Sequence, residues 1–296
     1  MQKYIKNSAA KWDVKGKNFI LLWVAAITVL VLLATAFTSQ PQAALVYTAP
    51  SLRKVSDILS TLTTEPLNIQ VYGSVAAANL IKSGRTPDLY LTVDSELKHG
   101  LNYRKELTLG YFRLTFVCQK GINSLDAVKT VKIGLADPNQ APIGYRALAA
   151  MYLLASERFP GLIDELQQSL NIRYQKSGDT LVMELSEISA SGRFYLRPNL
   201  DGAGTLLEAG GVDCIFAHSP FIIVRNYSQT YNIIEMPPHL NFENDPPITI
   251  VAKLKGGDVV VKRFEAAAFS FSEKGDKLLE LLKQIDLSIA GIRAAG

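Results

Sequence analysis

Cysteine and histidine are scarce in this chain, with two of the first and three of the second in 296 residues. Cys118 and Cys214 stand far apart, and neither has a second cysteine or a histidine at metal-ligand spacing. That removes the zinc-bound classes and leaves no recognisable thiol–imidazole pair for nucleophilic catalysis. His99 and His239 fall in polar stretches with no partner at ligand spacing, so no metal site and no catalytic residue is expected and the chain reads as a non-enzyme. An excess of one charge is missing too. The formal net charge is +4, and Lys3, Lys6, Lys11, Lys15 and Lys17 against Asp13 account for all of it. Beyond residue 18 the chain is formally neutral, which excludes a phosphate-reading basic face and with it nucleic acid as a partner. No internal repeat is present. An apolar content of 48% rules out disorder and coiled coil, and the length suits two lobes with real cores.

Long hydrophobic runs are absent with one exception. Residues 19–37 contain no charge and match one bilayer hydrocarbon core as a helix. The segment reads as an uncleaved transmembrane anchor. The small residues Ala43 and Ala44 after Pro41 leave a cleaved signal segment open as the alternative, giving a secreted or periplasmic product. The five lysines make residues 1–18 a cytoplasmic basic tail and put everything after a linker at 38–43 outside the membrane. The two cysteines read as buried, small apolar residues on strands. A disulfide between them is permitted in such a compartment, without spacing deciding it.

After the linker, short apolar runs alternate with helical periodicity, the pattern of α/β units with a mostly parallel sheet. Residues 44–48 read as a strand. Val55, Ile58, Leu59 and Leu62 then fall at helical spacing, in a helix whose first turn begins near Ser51. Residues 67–72, the turn Gly73-Ser74 and residues 75–81 repeat the unit, and 88–93 reads as a third strand. A further unit has a strand at 131–136, a Pro-rich loop at 137–144 and a helix at 145–159. Residues 212–217 form a strand leading into His218, and 274–285 a closing helix. Three of these loops deliver a helix start, where unpaired N–H groups and the positive dipole end favour an anion. Ser51 and Ser74 sit at two of them. Each serine alone reads as a helix cap, but two on adjacent ends of parallel strands border the usual ligand crevice.

The same loops resemble those of the periplasmic molybdate/tungstate-binding proteins of ABC transporters, particularly the archaeal tungstate/molybdate branch. Tyr47-Thr48-Ala49-Pro50-Ser51-Leu52 is similar to that family's first strand and serine turn, and Gly73-Ser74-Val75 to its second serine loop. Residues 87–94 are similar to its Asp-x-x-x-Ser-Ala-Asp strand. Residues 136–146, Ala-Asp-Pro-Asn-Gln-Ala-Pro-Ile-Gly-Tyr-Arg, follow the branch's Ser-Asp-Pro-x-x-Asp-Pro-x-Gly-Tyr-Arg. Arg197-Pro198-Asn199, residues 207–213 and residues 236–241 match later elements.

The resemblance implies an α/β, two-lobed periplasmic-binding-protein-like fold of type II, with lobe I at 44–110 and 252–296 and lobe II at 111–251. It implies a monomer that binds a tetrahedral oxyanion, molybdate or tungstate, between the lobes and passes it to an ABC permease, with no cofactor. Ligand contacts carried over are Ser51 and Ser74, backbone N–H groups at Ile143 and Leu200, and His218. Thr92, Ala141, Tyr145 and Ala217 stand just outside, with Tyr145 and Arg146 packing or pairing across the lobe interface. The chain departs from the pattern at Ala141 and Ala217, where the archaeal branch has carboxylates that join the metal's coordination sphere. It departs also at His218, where bacterial relatives have tyrosine, and at Thr92, which replaces a serine. Sulfate or phosphate binding on the same fold, or an anchored sensor or interaction module that has lost the anion, are the alternatives.

Overall fold

Strand–turn–helix units follow one another from residue 44 onward. The computed structural model describes residues 19, 22–30 and 42–293. Strand β1 (Ala44–Thr48) enters a 3-10 turn, Pro50–Leu52, that continues directly into helix α1 (Arg53–Leu62). Strand β2 (Leu67–Val71) leads through Gly73 into α2 (Ser74–Lys82), and β3 (Leu89–Thr92) follows. β1 lies between β2 and β3 and parallel to both. Every residue of β3 is buried, as expected of a central strand covered on both faces. β4 (Lys105–Tyr111) and β14 (Glu265–Ser270) add antiparallel, completing a first sheet ordered β2-β1-β3-β14-β4. Helix α8 (Glu273–Leu282) packs on it, with Ser272 capping its first turn.

The second lobe repeats the scheme. β5 (Leu114–Cys118), β6 (Ile133–Ala136), β9 (Phe194–Arg197), β10 (Cys214–His218) and β11 (Asn232–Glu235) form a sheet ordered β11-β5-β10-β6-β9. Helix α3 (Pro142–Arg158) is buried from Pro142 through Ala155, so it fills the space between layers instead of lying on a surface. It starts three residues earlier than the periodicity predicts. Pro142 takes the first helical position, where its missing N–H costs nothing, and Ile143 and Gly144 thereby join the first turn. Helices α4 (Gly161–Leu170), α5 (Leu200–Glu208), α6 (Ser219–Val224) and α7 (Tyr227–Thr230) complete the lobe.

A third sheet was not read from the sequence. β7 (Arg173–Ser177) and β8 (Thr180–Glu184) pair with β12 (Thr249–Leu254) and β13 (Gly257–Val260) in the order β13-β12-β8-β7. The boundary expected at residue 252 therefore falls inside β12, a strand bound to β8, and the chain rejoins the first sheet only with β14. Two short stretches, around Phe112 and around Val261–Phe264, connect the lobes. Their rings lie together, with Phe112 and Phe264 centroids 4.9 Å apart.

Cys118 and Cys214 are directly opposed on the antiparallel β5–β10 pair and form a disulfide, with Cα atoms 4.1 Å apart. Both are buried on strands, as the sequence suggests; the pairing it left open is decided by this register, which sequence spacing does not contain. The bond clamps the strand leaving the crossover to the strand that ends in His218.

Residues 22–30 are helical and exposed. Among the described residues no helix is long and apolar enough to cross a membrane. The rest of the expected anchor, and the basic tail before it, lie outside the described residues. Residues 43–296 form one compact unit.

Candidate functional site

The carboxyl ends of five strands, β1, β2, β6, β9 and β10, each run within a few residues into a helix or 3-10 start. Such ends form the ligand crevice of α/β sheets, and each helix start points unpaired N–H groups into it. Here they meet. Ser51, Ser74, Ile143, Leu200 and His218 all border one small cavity, with about 20 Å³ open to the centre of a water-sized sphere, together with Gly73, Val93, Ala141 and Asn199. That is room for about one water-sized group, far below the roughly 300–1,000 Å³ of drug-sized ligand sites. None of the residues lining it is charged, so any positive potential inside comes from helix starts and polar hydrogens.

The serines are not caps. The N-cap positions are Ala49 for the 3-10 turn and Gly73 for α2, and neither makes a side-chain cap bond. Ser74 Oγ accepts a hydrogen bond from Val93 N at 3.2 Å, and Ser51 Oγ lies 3.0 Å from His218 Nε2. The second contact crosses from one lobe to the other. So does a backbone contact: Val75 N and Ala76 N, at the start of α2, donate to Gln140 O at 3.1 and 3.3 Å. Asn199 does cap, its side chain accepting from Gly202 N at 3.0 Å.

Of the outer group only Ala141 lines the cavity. Thr92 Oγ1 bonds to the backbone of Asp94, the carbonyl of Ala217 accepts from Thr115, and the Tyr145 hydroxyl donates to the Asp94 carboxylate. Gly73, Val93 and Asn199 border the cavity although sequence reading gave them no role. Only Gly73 left a usable signal, a glycine at a strand end where nothing in its own turn demands one. His99 and His239 pair at the surface with Glu96 and Glu157. Among the described residues no cluster of histidine, cysteine and carboxylate side chains is arranged to hold a metal.

His218 is 1% exposed and its ring lies against Phe112 and Phe264, at 4.8 and 5.6 Å between centroids. Burial, helped by the positive charge of Arg146, pushes its pKa down to about 3. The imidazole is therefore neutral, not the cation that would attract a dianion by charge. Its Nδ1 is buried with no hydrogen-bond partner, the one such side-chain atom among the described residues. Buried polar atoms are nearly always paired, and no side chain among the described residues supplies a partner for this one.

The depressed pKa has a measurable consequence. An unfolded histidine takes up a proton near pH 6.5, while folded His218 does not until about pH 3. Between those values the unfolded state binds more protons, so the stability present above pH 6.5 is lost as pH falls, by up to about 1.4 kcal/mol per pH unit. Urea unfolding at pH 7, 5.5 and 4 should show His218→Gln losing less stability on acidification than the parent protein. Equal losses in both would mean the ring is not held neutral.

A family model described as bacterial extracellular solute-binding protein matches residues 44–272. Among solved structures, the periplasmic molybdate-binding protein of Azotobacter vinelandii is similar at 15% identity over 86% of this chain and 100% of that one, with a TM-score of 0.60. The bromide-bound regulatory domain of HypT from Salmonella typhimurium matches at 11% identity over 84% and 97%, with a TM-score of 0.52. PEB3 with L-phospholactate bound matches at 12% over 85% and 100%, with a TM-score of 0.51. At such identities these likenesses speak to the fold, a mixed α/β periplasmic-binding-protein-like architecture. The family match is of another kind, because it covers well over half of the sequence and every loop that borders the cavity: the chain belongs to the bacterial extracellular solute-binding proteins.

Proposed function

We propose that this protein is the extracytoplasmic binding component of an ABC transporter, and that it captures a tetrahedral oxyanion, molybdate or tungstate, between its lobes. The observation that carries the reading is the meeting of Ser51, Ser74, Ile143, Leu200 and His218 at one small uncharged cavity. Hydroxyls, helix-start amides and a neutral imidazole are donors suited to a small anion that has to be released again. No carboxylate borders the cavity to accept a proton from the ligand. An anion that keeps a proton at neutral pH, such as phosphate, is therefore held less well than molybdate, tungstate or sulfate. The preference for the Group 6 anions rests on the resemblance of the loops at 47–52, 73–75 and 136–146 to those of molybdate- and tungstate-binding proteins.

Binding proteins of this kind gain affinity when the ligand bridges both lobes and so favours the closed form. The segment at 19–37 tethers the chain to the membrane, with residues 1–18 inside and the lobes outside, and the closed monomer delivers its anion to the permease. A disulfide fits that oxidising side of the membrane.

Thermal unfolding in molybdate, tungstate, sulfate and phosphate tests the reading. At 100 times the dissociation constant a ligand stabilises by about 2.7 kcal/mol, or roughly 5–10 °C for a unit of this size. A rise of that order with molybdate or tungstate, matched by one site in calorimetry, is the expected result. No response to either anion overturns the assignment, and a response to sulfate alone reassigns the ligand.

A further inference from the structure

The most completely buried charge in the protein does not border the cavity. Arg146, 0% exposed, stands one turn into α3, the helix whose first residues, Pro142 and Ile143, line the cavity. Its Nη1 donates to Asp94 Oδ2 at 2.7 Å, its Nε to Lys262 O at 3.0 Å and its Nη2 to Arg263 O at 3.0 Å. The guanidinium also lies 4.2 Å over the ring of Phe264. Asp94, 1% exposed, follows β3 and takes further hydrogen bonds from the Tyr145 hydroxyl and from Glu96 N. Its neighbour Val93 borders the cavity and donates to Ser74 Oγ. One side chain of the second lobe is thus bonded at once to the first lobe and to the stretch between β13 and β14 that crosses between them.

We propose that Arg146 and Asp94 are positioning residues that set the balance between closed and open lobes, and through it the affinity and residence of the anion. The inference rests on the reading of the cavity as the ligand site. Parting the lobes separates the pair and returns both charges to water; closing them buries both. A paired buried charge is close to neutral in free energy, because the attraction offsets the lost hydration. A buried charge without its partner is strongly disfavoured. Removing either member therefore penalises the closed form while leaving the open form, where the orphan is hydrated, largely unaffected. Replacing both with neutral residues lifts that penalty, provided that the residue at 94 still accepts from the Tyr145 hydroxyl and Glu96 N, as asparagine does. Lysine at 146 retains the charge but not the planar fork, and cannot serve Asp94 and two carbonyls together.

The test uses the full chain with labels on Leu62 of the first lobe and Gln168 of the second, both exposed, and reads the interlobe distance as well as binding. Asp94→Asn and Arg146→Met are each expected to weaken molybdate and tungstate binding on the order of 100-fold. Both should shift the ligand-free distance distribution toward the open form, with Arg146→Lys falling between. The double variant Asp94→Asn/Arg146→Met should recover binding to within about tenfold of the parent and return the distribution to closed. Single variants that bind and close as the parent does overturn the proposal, as does a double variant no better than either single. The distance readout needs no ligand. Should neither anion bind even the parent, the oxyanion reading fails while the lobe balance is still decided.

Discussion

Changing Ser51 and Ser74 together to alanine should lower molybdate or tungstate affinity by about 10²–10⁴-fold, since a hydrogen bond to a charged group contributes about 1.5–3 kcal/mol and two are lost. The estimate depends on what the serines do in the absence of an anion. Ser51 shares one hydrogen bond with His218 Nε2, and because that imidazole is neutral the pair holds two polar hydrogens, of which their mutual bond uses one. With the imidazole proton on Nε2 the ring donates to Ser51 Oγ, and the Ser51 hydroxyl hydrogen stays free for a ligand oxygen. Ser74 accepts from Val93 N through its oxygen, and its own hydrogen is left to donate. Neither role is that of a helix cap, so removing the hydroxyls should not unravel a helix. Unfolding without anion should fall by only about 1 kcal/mol per lost neutral bond. Calorimetry checks the first number and urea unfolding the second. Undiminished affinity in the double variant would mean that the anion sits elsewhere.

The strand-turn-helix units that carry these serines were legible because each is local: a run of apolar residues, a turn and a 3.6-residue periodicity within about thirty positions. The loops at 49–51, 73–74 and 141–143 were legible for the same reason; the first two converge because β1 and β2 are parallel neighbours, whereas the third follows β6 of the other sheet and meets them only through the packing of the lobes. What escaped is nonlocal. β7 reads Arg-Tyr-Gln-Lys-Ser and is exposed along most of its length, so no apolar alternation announces it, and its sheet depends on pairing β8 with β12 from far along the chain. The disulfide depends on the register that sets Cys214 against Cys118. The neutrality of His218 depends on Phe112 and Phe264, brought beneath it by the two crossover stretches. Arg146 was expected at the lobe interface, but its partner Asp94, just past the strand read at 88–93, was given no role of its own.

Gly73→Ala should weaken anion binding roughly 5–150-fold, which is what about 1–3 kcal/mol of overpacking yields when the clash exists only in the closed form. The backbone angles at Gly73, φ −57° and ψ 141°, suit any residue, so the glycine is not there to reach a left-handed conformation. It is there for approach. A Cβ at this position would lie 2.2 Å from Gln140 O and 3.0 Å from Gln140 C, both backbone atoms of the opposite lobe. That same carbonyl receives the N–H groups of Val75 and Ala76, so the methyl group would break the contact that seals the start of α2 against the second lobe. Parting the lobes removes the clash, and the ligand-free protein should lose only about 1 kcal/mol, the ordinary effect of alanine at an N-cap. Gln140→Ala separates backbone from side chain. It deletes an amide that bonds only to Asp137 of its own loop while leaving the carbonyl in position, so binding should stay near that of the parent. Weak binding in Gly73→Ala with normal binding in Gln140→Ala would locate the closing contact at one main-chain oxygen. Parental affinity in Gly73→Ala would mean that the anion is held without the lobes meeting there.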